Sequence, residues 1–222
     1  MDIELARMNM IEQQIRPWDV LDQSVLDLLA TVRREDFVPP ALRSLAFADV
    51  ELPLRIDGVD TGEVMLTPKV EARLLQELGI QAHESVLEVG CGSGFMAALA
   101  AHRAHSVLSI EIDRRLFAFG AANLGRAGIR NVRVELGDGA LGWPDRAPYD
   151  VIILSGSLPA LPQSILSQLR FGARLAAIVG EAPVMTAQIV TRATETSYDT
   201  LPLFETCIPP LRNAWQPDPF RF

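Results

Sequence analysis

The segment Val86-Leu87-Glu88-Val89-Gly90-Cys91-Gly92-Ser93-Gly94-Phe95 has the residue types and spacing to hold a ligand against its backbone. An apolar run leads into three glycines at alternate positions and then into a helix-forming stretch, so the chain can turn tightly and a ligand can approach closely. Cys91 and Ser93 fill the gaps between the glycines and join Gly90, Gly92 and Gly94 as expected contacts. Three acids accompany the turn. Glu88 precedes the first glycine by two residues. Glu111, with Ile112 beside it, closes a second β-branched run about twenty residues on, where a carboxylate can accept hydrogen bonds from both hydroxyls of a ribose. Asp138, followed by Gly139, closes a third run and can accept from the amino group of an adenine. The chemistry implied is nucleoside binding.

Two details choose among nucleoside cofactors. A dinucleotide fingerprint places its third glycine where this chain has Phe95, and it avoids an anion such as Glu88 beside a pyrophosphate. S-adenosylmethionine carries no phosphate but bears a sulfonium and an ammonium group, and an acidic rim suits it. Each acid also has a plainer reading: Glu111 as a solvated strand end, Asp138 between two glycines as turn chemistry. Asp113 is read as a helix N-cap.

The elements that must position these residues follow from periodicity. From Ser85 onward, β-branched runs at 85–89, 106–110, 132–136, 151–154 and 174–179 alternate with helical stretches at 95–104, 114–127 and 162–169. That alternation is the signature of βαβ units around a parallel sheet, and all three acids then sit at its ligand-binding edge. Two further extended runs, 186–192 and 200–208, lack an intervening helix and predict antiparallel edge strands. Before residue 84 the texture differs. Leu5, Met8, Ile11 and Ile15 fall at helical spacing and Pro17 ends that element. Val25, Leu28, Leu29 and Val32 repeat the pattern behind Asp22 as N-cap. The stretch from Phe47 to Leu66 is extended, with Asp57-Gly58 and Thr61-Gly62 as turns, and Pro68 opens a helix closed by Gly79. The expected fold class is α/β, a Rossmann-like sheet with helices on both faces. Residues 1–84 form a helical and hairpin extension that lids the site, and 85–222 form the cofactor-binding domain.

Composition narrows the partners. The 222 residues carry 20 basic side chains against 28 acidic, a net charge of −8, and Lys69 is the single lysine. Such a surface repels phosphate backbones, which argues against nucleic acid or an anionic membrane as partner. Cys91 and Cys207 with His83, His102 and His105 supply neither a disulfide framework nor a zinc spacing, so no metal is expected. Neither a signal-peptide core nor a spanning apolar run is present, and the protein is read as cytoplasmic.

Taken together, the glycine segment, Glu111 and Gly137-Asp138-Gly139 resemble the cofactor motifs of class I S-adenosylmethionine-dependent methyltransferases. More narrowly, the chain resembles protein-L-isoaspartate O-methyltransferases. Val32-Arg33-Arg34-Glu35-Asp36-Phe37-Val38 is similar to that family's Val-Pro-Arg-Glu-x-Phe-Val signature. Glu51-Leu52-Pro53-Leu54, Pro68 to Arg73, Trp143 and Pro210-Leu211 extend the likeness in order along the chain. The resemblance implies S-adenosyl-L-methionine as cofactor and methylation of a carboxylate on a damaged protein or peptide.

The chain departs from the family at one loop. Family members carry Thr-Ile-Ser-Gln-Pro or Thr-Ile-Ser-Ala-Pro, whose serine helps form the active site, whereas this chain reads Val64-Met65-Leu66-Thr67-Pro68. Leu66 thus stands where the serine would be, and Leu66 and Thr67 are the candidate catalytic positions. Two readings of Thr67 stay open, N-cap to the Pro68 helix or substrate contact, and a shift of register would offer Thr61 or Thr67 as a hydroxyl. A carboxylate acceptor needs no general base, which suits a chain whose three histidines lie away from the ligand edge. Arg55 or Arg212 could pair with an acceptor carboxylate. An alternative keeps the cofactor and replaces the acceptor with a small molecule in a more apolar pocket. A third reading is a cofactor-binding protein without catalysis.

Overall fold

The structure is a computed structural model that describes residues 2–216. Met1 and 217–222, the outer ends of the two expected domains, lie outside the described residues.

The N-terminal segment folds as expected in kind and differs in phase. Helix α1 (Ile3–Met10) is capped by Asp2, runs into a wider turn over Ile11–Ile15 and ends in a short 3-10 turn containing Pro17. Its inward face carries Arg7, Met10, Ile11 and Ile15, while Leu5 and Met8 are 54% and 62% exposed. The inward phase is set by an ion pair: Arg7 bonds the buried Glu35 carboxylate. Helix α2 (Gln23–Thr31) begins at Asp22, whose side chain accepts from Ser24 N at 2.8 Å. Strands β1 (Leu52–Ile56) and β2 (Val59–Met65) pair antiparallel across Asp57-Gly58, both with positive φ, the geometry of a type I′ hairpin turn. Thr61-Gly62 is a bulge inside β2 and not a second turn. Helix α3 (Pro68–Leu78) starts at the expected proline and ends at Gly79 in the left-handed conformation.

The remainder is one seven-stranded sheet. Its strands are β3 (Ser85–Val89), β4 (Ser106–Glu111), β5 (Val132–Leu136), β6 (Tyr149–Leu154), β7 (Leu169–Glu181), β8 (Val184–Arg192) and β9 (Tyr198–Thr206), in the order β5-β4-β3-β6-β7-β8-β9. The first five in that order pair parallel, and β8 and β9 add antiparallel. Helices α4 (Phe95–Ala101) and α5 (Arg114–Arg126) make the crossovers, with Asp113 capping α5 through Arg115 N and Leu116 N. The helix expected over 162–169 shrinks to a single turn, α6 (Gln163–Leu166), because β7 begins early, at Leu169. Alternation along β3 sends Val86 to one apolar cluster and Leu87 and Val89 to the other. The first cluster takes side chains from both sides of residue 84, among them Phe37, Leu52, Leu66, Phe95 and Ile153. β3 is flanked by β4 and β6, so the turn after it opens onto the middle of the carboxyl edge. Among the described residues no helix is long and apolar enough to cross a membrane.

Candidate functional site

The site is built on the glycine turn. Gly90 N and Cys91 N both donate to Ile110 O, tying the turn to the end of β4. Gly90, Gly92 and Gly94 all have positive φ, so the alternate glycines are what allow this path. Asn123 of α5 braces it from behind, donating to Ser93 O at 2.8 Å and Phe37 O at 3.3 Å. Gly120, one turn earlier, leaves room for that contact: a Cβ there would lie 2.7 Å from Cys91 Sγ and 3.1 Å from Gly92 O. Helix propensity favours alanine over glycine by about 1 kcal/mol, but overpacking a tight contact costs about 1–3 kcal/mol. The clash should win. Gly120→Ala is expected to lower stability by about 1–2 kcal/mol, read from the midpoint of urea unfolding; a raised midpoint would show that the turn has slack.

The turn faces a cleft that opens to solvent. Its lining includes Gly90, Gly92, Glu111, Ile112, Asp138 and Gly139, with Leu54, Glu63, Val64 and Leu66 from the N-terminal segment and Pro209 to Arg212 from the C-terminal one. Glu111 Oε2 accepts Gly92 N at 2.8 Å and Oε1 accepts Asp113 N at 2.9 Å. Burial pushes the Glu111 carboxyl above its ordinary range, opposed by these backbone donors. Asp138 accepts Ala140 N at 3.0 Å and Asn213 Nδ2 at 2.8 Å. An acceptor-rich wall meets a ribose diol, an exocyclic amine and a cation, and disfavours a pyrophosphate.

A second, smaller lobe adjoins the first, sharing Val64, Leu66, Gly90, Gly92 and Ser155. Glu88, Cys91, Ser93, Glu71, Leu74 and Met96 complete much of it. Glu88 is completely buried, receiving Ser109 Oγ at 2.5 Å and Ser155 Oγ at 3.4 Å. Burial pushes its carboxyl up to about 8, with the Ser109 hydroxyl opposing and Glu71 adding to the rise. Burial likewise raises Glu71, against the pull of the Arg34 guanidinium, and raises the Cys91 thiol.

The sequence-expected residues therefore divide. Gly90, Gly92, Glu111, Ile112, Asp138, Gly139 and Leu66 line the main cleft, and Glu88, Cys91 and Ser93 line the second lobe. Glu88 is thus no charged rim: it lies under the turn and is held largely protonated near neutrality. Gly94 lines neither lobe; it caps α4 and packs on Gly120 O and Leu124. Thr67 also lines neither lobe, and although it occupies the N-cap position its side chain makes no capping bond. Its hydroxyl is buried without a partner. Thr61 Oγ1 is engaged with Leu54 O at 2.7 Å, so Leu66, 8% exposed, is the residue of this loop that stands between the lobes. Arg55 pairs with Asp60 out on the hairpin. His83, His102 and His105 are exposed and line neither lobe. Among the described residues no His, Cys, Asp and Glu cluster is arranged to hold a metal.

The C-terminal segment closes over the site through side chains that no local motif marks. Arg212 bonds Glu63 Oε1 at 2.7 Å, Asp113 Oδ2 at 3.1 Å and Thr61 O at 2.7 Å, and Asn213 bonds Asp138. The hairpin, the β4–α5 loop and the C-terminal segment are thereby joined over the cleft. The only signal for this in the sequence is the Pro210-Leu211 pair that precedes it.

The model of the Protein-L-isoaspartate(D-aspartate) O-methyltransferase family matches residues 6–207. The chain is 36% identical to a protein-L-isoaspartate O-methyltransferase of Methanoculleus marisnigri, over 95% of this chain and 94% of that one. It is 39% identical to a protein of the same name from Herpetosiphon aurantiacus, over 79% and 76% of the two chains. Among solved structures, a protein-L-isoaspartate O-methyltransferase superposes with a TM-score of 0.75 at 23% identity, covering 92% of this chain and 65% of that chain. A Plasmodium falciparum beta-aspartate methyltransferase in complex with S-adenosyl-L-homocysteine superposes with a TM-score of 0.78 at 17% identity, over 93% and 98% of the chains. At these identities the structures establish the fold, and the sequence matches establish the kinship.

Proposed function

This chain belongs to the Protein-L-isoaspartate(D-aspartate) O-methyltransferase family, and from that premise we propose that it methylates the free carboxylate of isoaspartyl residues in damaged proteins or peptides. It is an S-adenosyl-L-methionine-dependent O-methyltransferase. The observation that carries the reading is the cleft in which the glycine turn, Glu111 and Asp138 meet, with Leu66 at its inner border.

The cofactor supplies an electrophilic methyl group on a sulfonium, transferred by in-line displacement. The chain's part is to bind, align and dry the site. Glu111, already oriented by Gly92 N and Asp113 N, keeps acceptor capacity for the two ribose hydroxyls. Asp138 accepts the adenine amino group, its carboxylate steadied by Asn213. The backbone of Gly90 and Gly92 allows close approach, with Ile112 packing at the cleft wall. Residues 1–84 act as the lid, since they contribute Leu54, Val64 and Leu66 to the cleft lining as an apolar, water-excluding wall. A carboxylate acceptor arrives as the anion, so no base need be supplied, in keeping with exposed histidines outside both lobes.

A second reading rests on Leu66. A leucine at the lobe border offers no hydrogen bond, and Val64, Met65, Leu74 and Met96 make the inner lobe apolar enough for a small-molecule acceptor. One experiment separates them. Wild-type protein incubated with methyl-labelled S-adenosyl-L-methionine is expected to place base-labile label on an isoaspartyl peptide and none on its aspartyl counterpart. Tight cofactor binding by calorimetry with no label on the peptide would reject repair and leave the small-molecule acceptor or a non-catalytic role.

A further inference from the structure

Arg34 lies outside the lining of both lobes, yet no other basic side chain of the described residues is as deeply buried, at 1% exposure. Its guanidinium reaches three acceptors in three directions. Nε donates to Ala46 O at 3.0 Å, Nη1 to Glu71 Oε2 at 2.5 Å and Nη2 to Leu66 O at 2.7 Å. Its Cζ sits 5.1 Å from the ring centroid of Phe95, the first residue after the glycine turn. One side chain thus joins the N-terminal segment, the Leu66 loop, α3 and the start of α4. Burying a guanidinium is expensive, and a well-packed apolar pair in its place is often as stable or more so. Fold stability is therefore a poor reason for this ion pair. Geometry is a better one: the fork fixes the carbonyl of the residue that borders both lobes and the carboxylate that lines the inner one. A lysine ammonium carries the charge without the planar fork.

We propose that Arg34 is a positioning residue for methyl transfer, holding the Leu66–Thr67 peptide and Glu71 so that Leu66 seats between the two lobes over the glycine turn. The proposal rests on the methyltransferase reading for its kinetic consequence, and its structural consequence stands apart from it. Arg34→Met alone strands the Glu71 carboxyl, so the informative variant is Arg34→Met with Glu71→Leu, which removes both charges.

That double variant is expected to stay folded, with a lowered melting temperature because Ala46 O and Leu66 O lose their donor, and to bind S-adenosyl-L-methionine within a few fold, while kcat on an isoaspartyl peptide falls on the order of 100-fold, the scale of a misplacement of about 1 Å. Arg34→Lys, which keeps the charge without the fork, should also lose turnover. Amide hydrogen exchange over residues 64–70 should quicken in both variants with the rest of the sheet unchanged. A folded double variant with kcat within about threefold of wild type, or with wild-type exchange over 64–70, overturns the proposal. Failure of wild-type protein to label the peptide overturns the repair reading instead, and the exchange measurement then decides the role of Arg34.

Discussion

Glu111→Ala is expected to bind S-adenosyl-L-methionine on the order of 100-fold more weakly than wild type, with its fold retained. Each hydrogen bond to a charged group contributes about 1.5–3 kcal/mol, and in the proposed reading two ribose hydroxyls would address this carboxylate. Partial replacement by water leaves a net loss of about 2–4 kcal/mol, which brackets a 100-fold change. The fold should survive because Gly92 lines a cleft that water can enter and Asp113 is only half-buried, so the two released N–H donors can be hydrated. Glu111→Gln should rescue little. Both carboxylate oxygens accept backbone N–H groups, and an amide would turn its NH₂ toward one of them. Isothermal titration reads the affinity and thermal unfolding reads the fold. A dissociation constant within threefold of wild type, in a folded protein, would remove the ribose assignment.

How far the sequence reveals such a site depends on the range over which a residue is fixed. Glu111 and Asp138 are legible because a strand end followed by a turn is a local fact, and parallel pairing brings all such ends to one edge. The same holds for Pro68, Gly79, Asp22 and Asp113, whose roles are set within a few residues. Arg212 is not legible in this way. Its partners Glu63 and Thr61 are 149 and 151 residues distant, and nothing local marks an arginine in a loop as the closure of a cleft. The placement of the Leu66 loop is hidden for a related reason, since the guanidinium bonded to Leu66 O comes from Arg34, 32 positions earlier.

Charge misleads in both directions. Leu5 and Met8 have the right period, but the Arg7–Glu35 pair rotates the buried face of α1 away from them. Glu88 reads as an anion by type, and only its placement on a central strand, between Ser109 on β4 and Ser155 after β6, makes it a buried, mostly neutral acid. That placement shifts its contribution from ligand charge to stability.

The stability of the protein should accordingly fall as pH rises toward 8, and Glu88→Gln should flatten that fall. The Glu88 carboxyl has an ordinary value of 4.5 and is pushed up to about 8 in the folded chain, so between these values the folded state holds a proton that the unfolded state has lost. Its contribution is fully present below the unfolded value and disappears as pH passes the folded one. At about 1.4 kcal/mol per unit, and discounting for hydroxyl and water rearrangement around the ionised group, the contribution is on the order of 3 kcal/mol. Glu71 on α3 and Glu111 on β4 face the same region and are raised by burial, so they add slope of the same sign in both proteins. Cys91 is raised as well and stays neutral throughout the window. A glutamine at 88 never ionises; its amide oxygen can accept one of the two serine hydroxyls while its NH₂ donates to the oxygen of the other. Urea unfolding at pH 6 and pH 8.5 is the measurement. Wild type should lose stability across that interval, and Glu88→Gln should lose less and be the more stable protein at pH 8.5. Parallel curves for the two would mean that Glu88 ionises in the folded state without penalty, which requires an opposing cation or open water that its surroundings do not provide.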